Sequence, residues 1–166
     1  MFRVAPGVAC TDFKNLANGQ QLLRALSPEA LLTVDGKVRP VGGLKGQSEK
    51  AYLLPEWLDR FQAQTTDFKL VAIESESLKP FLNWKPGTWT MNRNQPSGKT
   101  LIFTYRAEAA ELAGLNVRIF YELYDGLPLV VKWLSLENTG HQTFHINRVV
   151  NEVLAFVEEE SAVVGK

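Results

Sequence analysis

The sequence predicts an all-β chain, an antiparallel two-sheet β-sandwich with at most one or two short helices. Three observations predict it. Asp35-Gly36 divides two β-prone runs, residues 31–34 and 37–41. Residues 116–124 alternate in character, with Val117, Ile119, Tyr121 and Leu123 on one side and Arg118, Phe120, Glu122 and Tyr124 on the other. No helical stretch of about ten residues separates the strand-like runs, as a parallel sheet would require.

Each element follows from local chemistry. Asp-Gly between two strand-like runs suits a two-residue type I′ turn, because both positions need positive φ and Gly accepts it cheaply. Pro40 has no N–H to give a ladder, so the second arm is expected at a sheet edge. Residues 68–75 alternate moderately. Further on, Leu101, Phe103 and Tyr105 share a face opposite Ile102, Thr104 and Arg106. Asp125-Gly126 breaks the chain after residue 124. Residues 127–136 are apolar on both faces and read as a central strand covered on both sides. Asn138-Thr139-Gly140 forms the next turn, and residues 144–157 read as a last long strand. Consecutive strands with tight turns predict an antiparallel meander, whose apolar face a second sheet would cover.

Helix is scarce. Pro55 suits a first helical turn, and Leu54, Trp57, Leu58 and Phe61 follow at helical spacing. Residues 20–26 fit helix or strand, and residues 107–112 read as an irregular connection. Residues 42–50 are loop-like. Residues 80–99 hold Pro80, Pro86 and Pro96 with Gly87 and Gly98, and read as a long surface excursion.

The chain has 166 residues, which suits one domain, and no boundary is visible inside it. Lys plus Arg and Asp plus Glu number 18 each, so the formal net charge is zero. That removes the usual electrostatic reason to propose nucleic acid or an anionic membrane as partner. No stretch approaches the ~18 apolar residues of a membrane span. The residues from Met1 to Pro6 lack the apolar run of a signal peptide. The expectation is a secreted or periplasmic location if a signal has been removed, and a cytoplasmic one otherwise. The C-terminal residues do not read as a closing element, so the chain is expected to be part of something longer. Cys10 is the one cysteine, which excludes an internal disulfide, and it reads as a small structural residue.

No catalytic set is expected in this chain. His141 and His145 lie four apart in strand-like surroundings, roughly 13 Å along a strand, too far to share a metal. The Gly-x-Ser-x-Gly elbow, the Gly-x-Gly-x-x-Gly turn and the phosphate-binding loop are absent. Glu122, Asp125, Glu137 and Glu152 could in principle pair as glycosidase carboxylates, but each reads as a solvated strand position or a turn residue. No cofactor and no metal are expected. The notable group is aromatic. Trp84 and Trp89 flank a tight stretch of the proline-rich excursion, where they could anchor the loop to the sandwich, meet an adjoining domain or subunit, or stack on a sugar. With Lys85 and Asn83 they form the candidate carbohydrate-binding or interdomain rim. Trp57 and Trp133 read as core.

The run from Tyr121 to Gly140, with Asp125-Gly126-Leu127-Pro128 at its turn and Asn138-Thr139-Gly140 at its end, resembles the N-terminal domain of α-galactosidase-type glycoside hydrolases, family 36 and relatives. The resemblance implies a β-supersandwich of the galactose-mutarotase-like kind. It implies a partner as well, a catalytic (β/α)₈ barrel of the same parent chain, which would hold the catalytic aspartates, so none is carried over to a position here. The expected function is that of a non-catalytic accessory domain, packed on that barrel and lending residues to a substrate-site rim or a homo-oligomer interface. The alternatives are an independent carbohydrate-binding module and, less favoured, a mutarotase-like epimerase using His145 with Glu122 or Glu152.

Overall fold

The structure, a computed structural model, describes residues 1–48, 51–82 and 96–156. The described chain has an all-β, sandwich-like fold, as the sequence predicts. Its strands are β1 (Phe2–Arg3), β2 (Ala9–Cys10), β3 (Leu23–Ala25), β4 (Ala30–Val34), β5 (Lys37–Val41), β6 (Leu44–Lys45), β7 (Gln62–Ala63), β8 (Phe68–Ser77), β9 (Gly98–Ala107), β10 (Leu115–Tyr124), β11 (Val130–Asn138), β12 (Ile146–Val150) and β13 (Ala155–Phe156). Two short 3-10 turns, Pro55–Arg60 and Ala110–Leu112, are the helical elements among the described residues. The chain forms two compact units, one from Met1–Phe68 with Thr143–Lys166, the other from Lys69–Gln142.

The first unit is organised by the antiparallel sheet β12-β4-β5. Along β4, Ala30, Leu32 and Val34 alternate inward and are almost fully buried, as period two demands. The β4–β5 hairpin closes on Val34 opposite Lys37. Asp35 at φ 48° and Gly36 at φ 78° meet the type I′ requirement. Pro40 lies on β5, an edge of this sheet among the described residues. The start of β12 fastens the turn: the Gly36 N–H donates to Asn147 Oδ1 at 2.8 Å and the His145 N–H to Asp35 Oδ1 at 3.0 Å. A second small core joins Ala9, Leu44 and Phe61, with Leu26, Leu53, Trp57 and Leu58 packed on it. The turn after Pro55 aims Trp57 there, and the Trp57 N–H donates to the Leu54 carbonyl at 3.1 Å.

The second unit is the four-stranded sheet β11-β10-β9-β8. Its central strand β10 pairs with β11 from Leu115 to Leu123 and with β9 from Asn116 to Tyr124. Directly opposed residues share a face. Val117 and Ile119 therefore lie beside Tyr105 and Phe103, and all four are buried. Further along β10 the buried side changes. Phe120, Glu122 and Tyr124 are buried, while Leu123 is exposed. Asn138 ends β11 by accepting the Gly140 N–H at 3.0 Å on its side chain. Gly140 and Gly114 approach so closely that a Cβ on Gly114 would collide with the Gly140 backbone.

Three expectations change. Residues 127–136 do not form the central strand: among the described residues β11 ends the sheet, and β10 is central. The run is apolar on both faces because Leu134 and Leu136 oppose Ile119 and Val117, while Trp133 on the other face opposes Phe120. Residues 144–157 are not one strand. β12 joins β4 and β13 joins β3, with Asn151–Leu154 non-strand between them. Residues 20–26 resolve as strand, in β3, and the loop-like stretch 42–50 contributes β6.

Two substitutions check this packing by urea denaturation. Leu32→Ala is expected to lower stability by about 2–5 kcal/mol, because its site is fully buried. Gly36→Ala is expected to cost about 1–2 kcal/mol from left-handed backbone strain alone, since a Cβ there meets nothing within 4 Å. A Gly36→Ala protein as stable as the parent would overturn the turn assignment.

Candidate functional site

The four sequence-predicted rim residues, Asn83, Lys85, Trp84 and Trp89, lie outside the described residues. The described residues do fix where their segment begins. After β8, the Leu78 N–H donates to the Gly98 carbonyl at 3.0 Å, and the chain then reaches Phe81.

Phe81 meets a buried carboxylate. Period two on β10 puts Phe120, Glu122 and Tyr124 on one side, and the β10–β11 register sets Trp133 opposite Phe120. Glu122 has no exposed surface. Its Oε1 accepts the Phe81 N–H at 3.0 Å and the Trp133 indole N–H at 2.9 Å. Its Oε2 accepts the Tyr124 hydroxyl at 2.7 Å. Three donors offset the loss of hydration that makes a buried carboxylate costly.

The rings beside it are stacked. Phe120 and Trp133 lie 3.6 Å apart and nearly parallel, at 3°, and Phe81 stacks on Trp133 at 4.6 Å and 20°. The Arg118 guanidinium sits 5.1 Å over the Phe120 ring, and its Nη2 is 4.0 Å from Glu74 Oε2. Phe120 is buried and Trp133 half-buried, but Phe81 is 61% exposed. The arrangement is thus a solvent-facing aromatic ring, stacked on a second ring and held through its backbone by a buried anion. Such a face can stack on an apolar or aromatic surface.

No family model, no curated protein and no solved structure matches this chain.

Asp125, Glu152 and His145, among the other candidate acids and bases, have local partners. The Asp125 carboxylate accepts the Ser97 hydroxyl at 2.8 Å, and the Asp125 N–H donates to the Ser97 carbonyl at 2.9 Å. Glu152 accepts the neighbouring Val153 N–H, and Glu137 is an exposed strand position opposite Asn116. His145 Nδ1 lies 3.3 Å from Asp35, at the hairpin turn, and His141 is exposed. Cys10 is half-buried, and burial pushes its thiol up, which disfavours the thiolate. Among the described residues, no group of three or more His, Cys, Asp or Glu side chains is placed to hold a metal ion, and no helix is long and apolar enough to cross a membrane.

Glu122 is a correction to the sequence reading, which takes it for a solvated strand position. Its alternation with Phe120 and Tyr124 is visible in the sequence, but its burial depends on Trp133 across the strand and on Phe81, 41 residues away in sequence. Trp133, read as core, is half-buried and joins the two.

Tyr124 offers a titration test. Burial raises its pKa above the ordinary value of 10.0, helped by the hydrogen bond to Glu122 and by that carboxylate's charge. The folded state therefore favours the protonated phenol. This stabilisation is complete below pH 10 and is lost as the pH climbs above it towards the raised folded value. The urea midpoint of the parent protein should thus fall between pH 10 and 11.5 more steeply than that of Tyr124→Phe. At neutral pH the variant should be less stable by about 2 kcal/mol for the lost bond to a charged acceptor. Parallel pH curves would refute the burial of this hydroxyl on Glu122.

Proposed function

We propose that this chain is a non-catalytic N-terminal accessory domain of an α-galactosidase-like glycoside hydrolase. It packs on a catalytic (β/α)₈ barrel of the same parent chain and lends the segment between β8 and β9 to the rim of the substrate site or to an oligomer interface. The observation that supports a ligand-facing role is Phe81, an exposed ring backed by Trp133 at 4.6 Å, with its backbone N–H fixed on Glu122 at 3.0 Å. Preorganised aromatic surface lowers the entropic cost of binding, because little of the segment's root has to be ordered when a ligand arrives. The resemblance of residues 121–140 supplies the family and the barrel.

A second reading rests on the same ring. In an independent carbohydrate-binding module, Phe81 and the tryptophans of the excursion would hold a glycan without help from a barrel. The two readings differ in the affinity of the chain by itself.

Titration of this chain with a panel of galactosides and other glycans, followed by tryptophan fluorescence, separates them. Saturable binding that Phe81→Ala, Trp84→Ala or Trp89→Ala weakens roughly five- to tenfold would favour the independent module. A folded chain that responds to no glycan, with a fall in kcat/KM when Phe81→Ala is placed in the full-length parent enzyme, would favour the accessory domain. No glycan response and an unaltered parent enzyme would sink both.

A further inference from the structure

We infer that Glu122 is a positioning residue for Phe81, fixing the place and direction from which the start of the segment after β8 meets a ligand. The inference rests on the proposed reading of that segment as ligand-facing.

Two of the three donors to Glu122 come from the sheet itself, Tyr124 two residues along the same strand and Trp133 on the neighbouring one. The third, the Phe81 N–H, comes from outside every strand. The bond is to the main chain, so it fixes the path of the backbone whatever the side chain. The Phe81 ring is fixed separately, by its stack on Trp133. One backbone bond and one ring contact together define both position and orientation at residue 81. Trp133 couples them, since its indole N–H binds the same Oε1 that holds the Phe81 backbone.

A sheet position facing inward between Phe120 and Tyr124 is most cheaply filled by an apolar side chain. A buried carboxylate there costs hydration that only its donors return. Among the described residues none of those donors is a Lys, Arg or His, so ion pairing does not account for it. What the carboxylate provides, and an aliphatic side chain cannot, is an acceptor aimed at the Phe81 backbone. The far end of the excursion is tied similarly: Asp125, three residues beyond Glu122, bonds Ser97 through both its side chain and its backbone. The two carboxylates at the end of β10 thus bond Phe81 and Ser97, on either side of the excursion.

Amide hydrogen exchange by NMR reads this directly, on the parent chain, Glu122→Gln and Glu122→Ala. The Phe81 amide should exchange at least about tenfold faster in Glu122→Ala and roughly fivefold faster in Glu122→Gln, which keeps an acceptor but loses its charge. Amides of β9 and β10 should keep their protection in both variants. Unchanged Phe81 exchange overturns the inference. So does an equal acceleration throughout β10, because Glu122 would then be part of the general stability of the sheet. If Glu122→Ala does not fold, the Glu122→Gln comparison decides alone. Titration with methyl α-galactopyranoside is run alongside. If the parent chain binds it, Glu122→Ala should weaken binding to the extent Phe81→Ala does, and the double variant no further. If the parent chain does not bind it, the independent-module reading fails for this sugar and the ligand-facing role is decided by kcat/KM of the full-length parent enzyme, while the exchange result still decides what Glu122 does to Phe81.

Discussion

A carboxylate stripped of water must be given hydrogen bonds by the protein, and much of the second unit is arranged around meeting that demand at Glu122. Tyr124 has to lie on the same side of β10, which period two ensures. Trp133 has to stand across the strand with its N–H turned inward, which the β10–β11 register ensures. Once the indole is so placed, it is set for stacking, and the Phe120 and Phe81 rings stack on it. Loss of any donor would leave a lone pair without a partner in a site water does not reach, a penalty of about 1–3 kcal/mol or more.

How much of this is legible in the sequence depends on the distance over which each feature is decided. The β4–β5 hairpin is decided by two adjacent residues, Asp35 and Gly36, and could be read directly. The alternation along β10 is also local and legible. Which side of it is buried is not local, and in fact changes along the strand: Val117 and Ile119 are buried near one end, Glu122 and Tyr124 near the other. A carboxylate read from sequence is placed in solvent because carboxylates are rarely buried without partners, and here the partners lie on another strand and in another loop. The same limit explains residues 144–157. Their composition marks them as extended, but only the pairing of β12 with β4 and of β13 with β3 shows that two short strands replace one long one.

The run from Tyr121 to Gly140 that prompted the family resemblance has a physical account at both turns. Asp125-Gly126 opens the link to β11, with Gly126 at φ 73° and Asp125 bound to Ser97. Asn138 and Gly140 close the other end, where the Asn138 side chain receives the Gly140 N–H and Gly140 lies against Gly114 with no room for a Cβ. These residues are demanded by backbone geometry, and the site itself is built from the strand positions between and before them, Glu122 and Trp133, together with Phe81.

The first unit is assembled from both ends of the described chain, and this governs how it can form during synthesis. The β4–β5 hairpin is local and can close within microseconds of leaving the ribosome. The other edge of β4 must wait for β12: Asp35 and its bonding partner His145 are 110 residues apart. At 5–20 residues per second, that is a delay of roughly 5–20 s. Through that interval the nascent chain presents an open strand edge bearing Leu31 and Leu32. Pairings that span such separations are slow to find as well as slow to be made available. The second unit, contiguous in sequence, can be complete before the first is closed, so the hairpin forms first, the second unit next, and the β12–β4 pairing last.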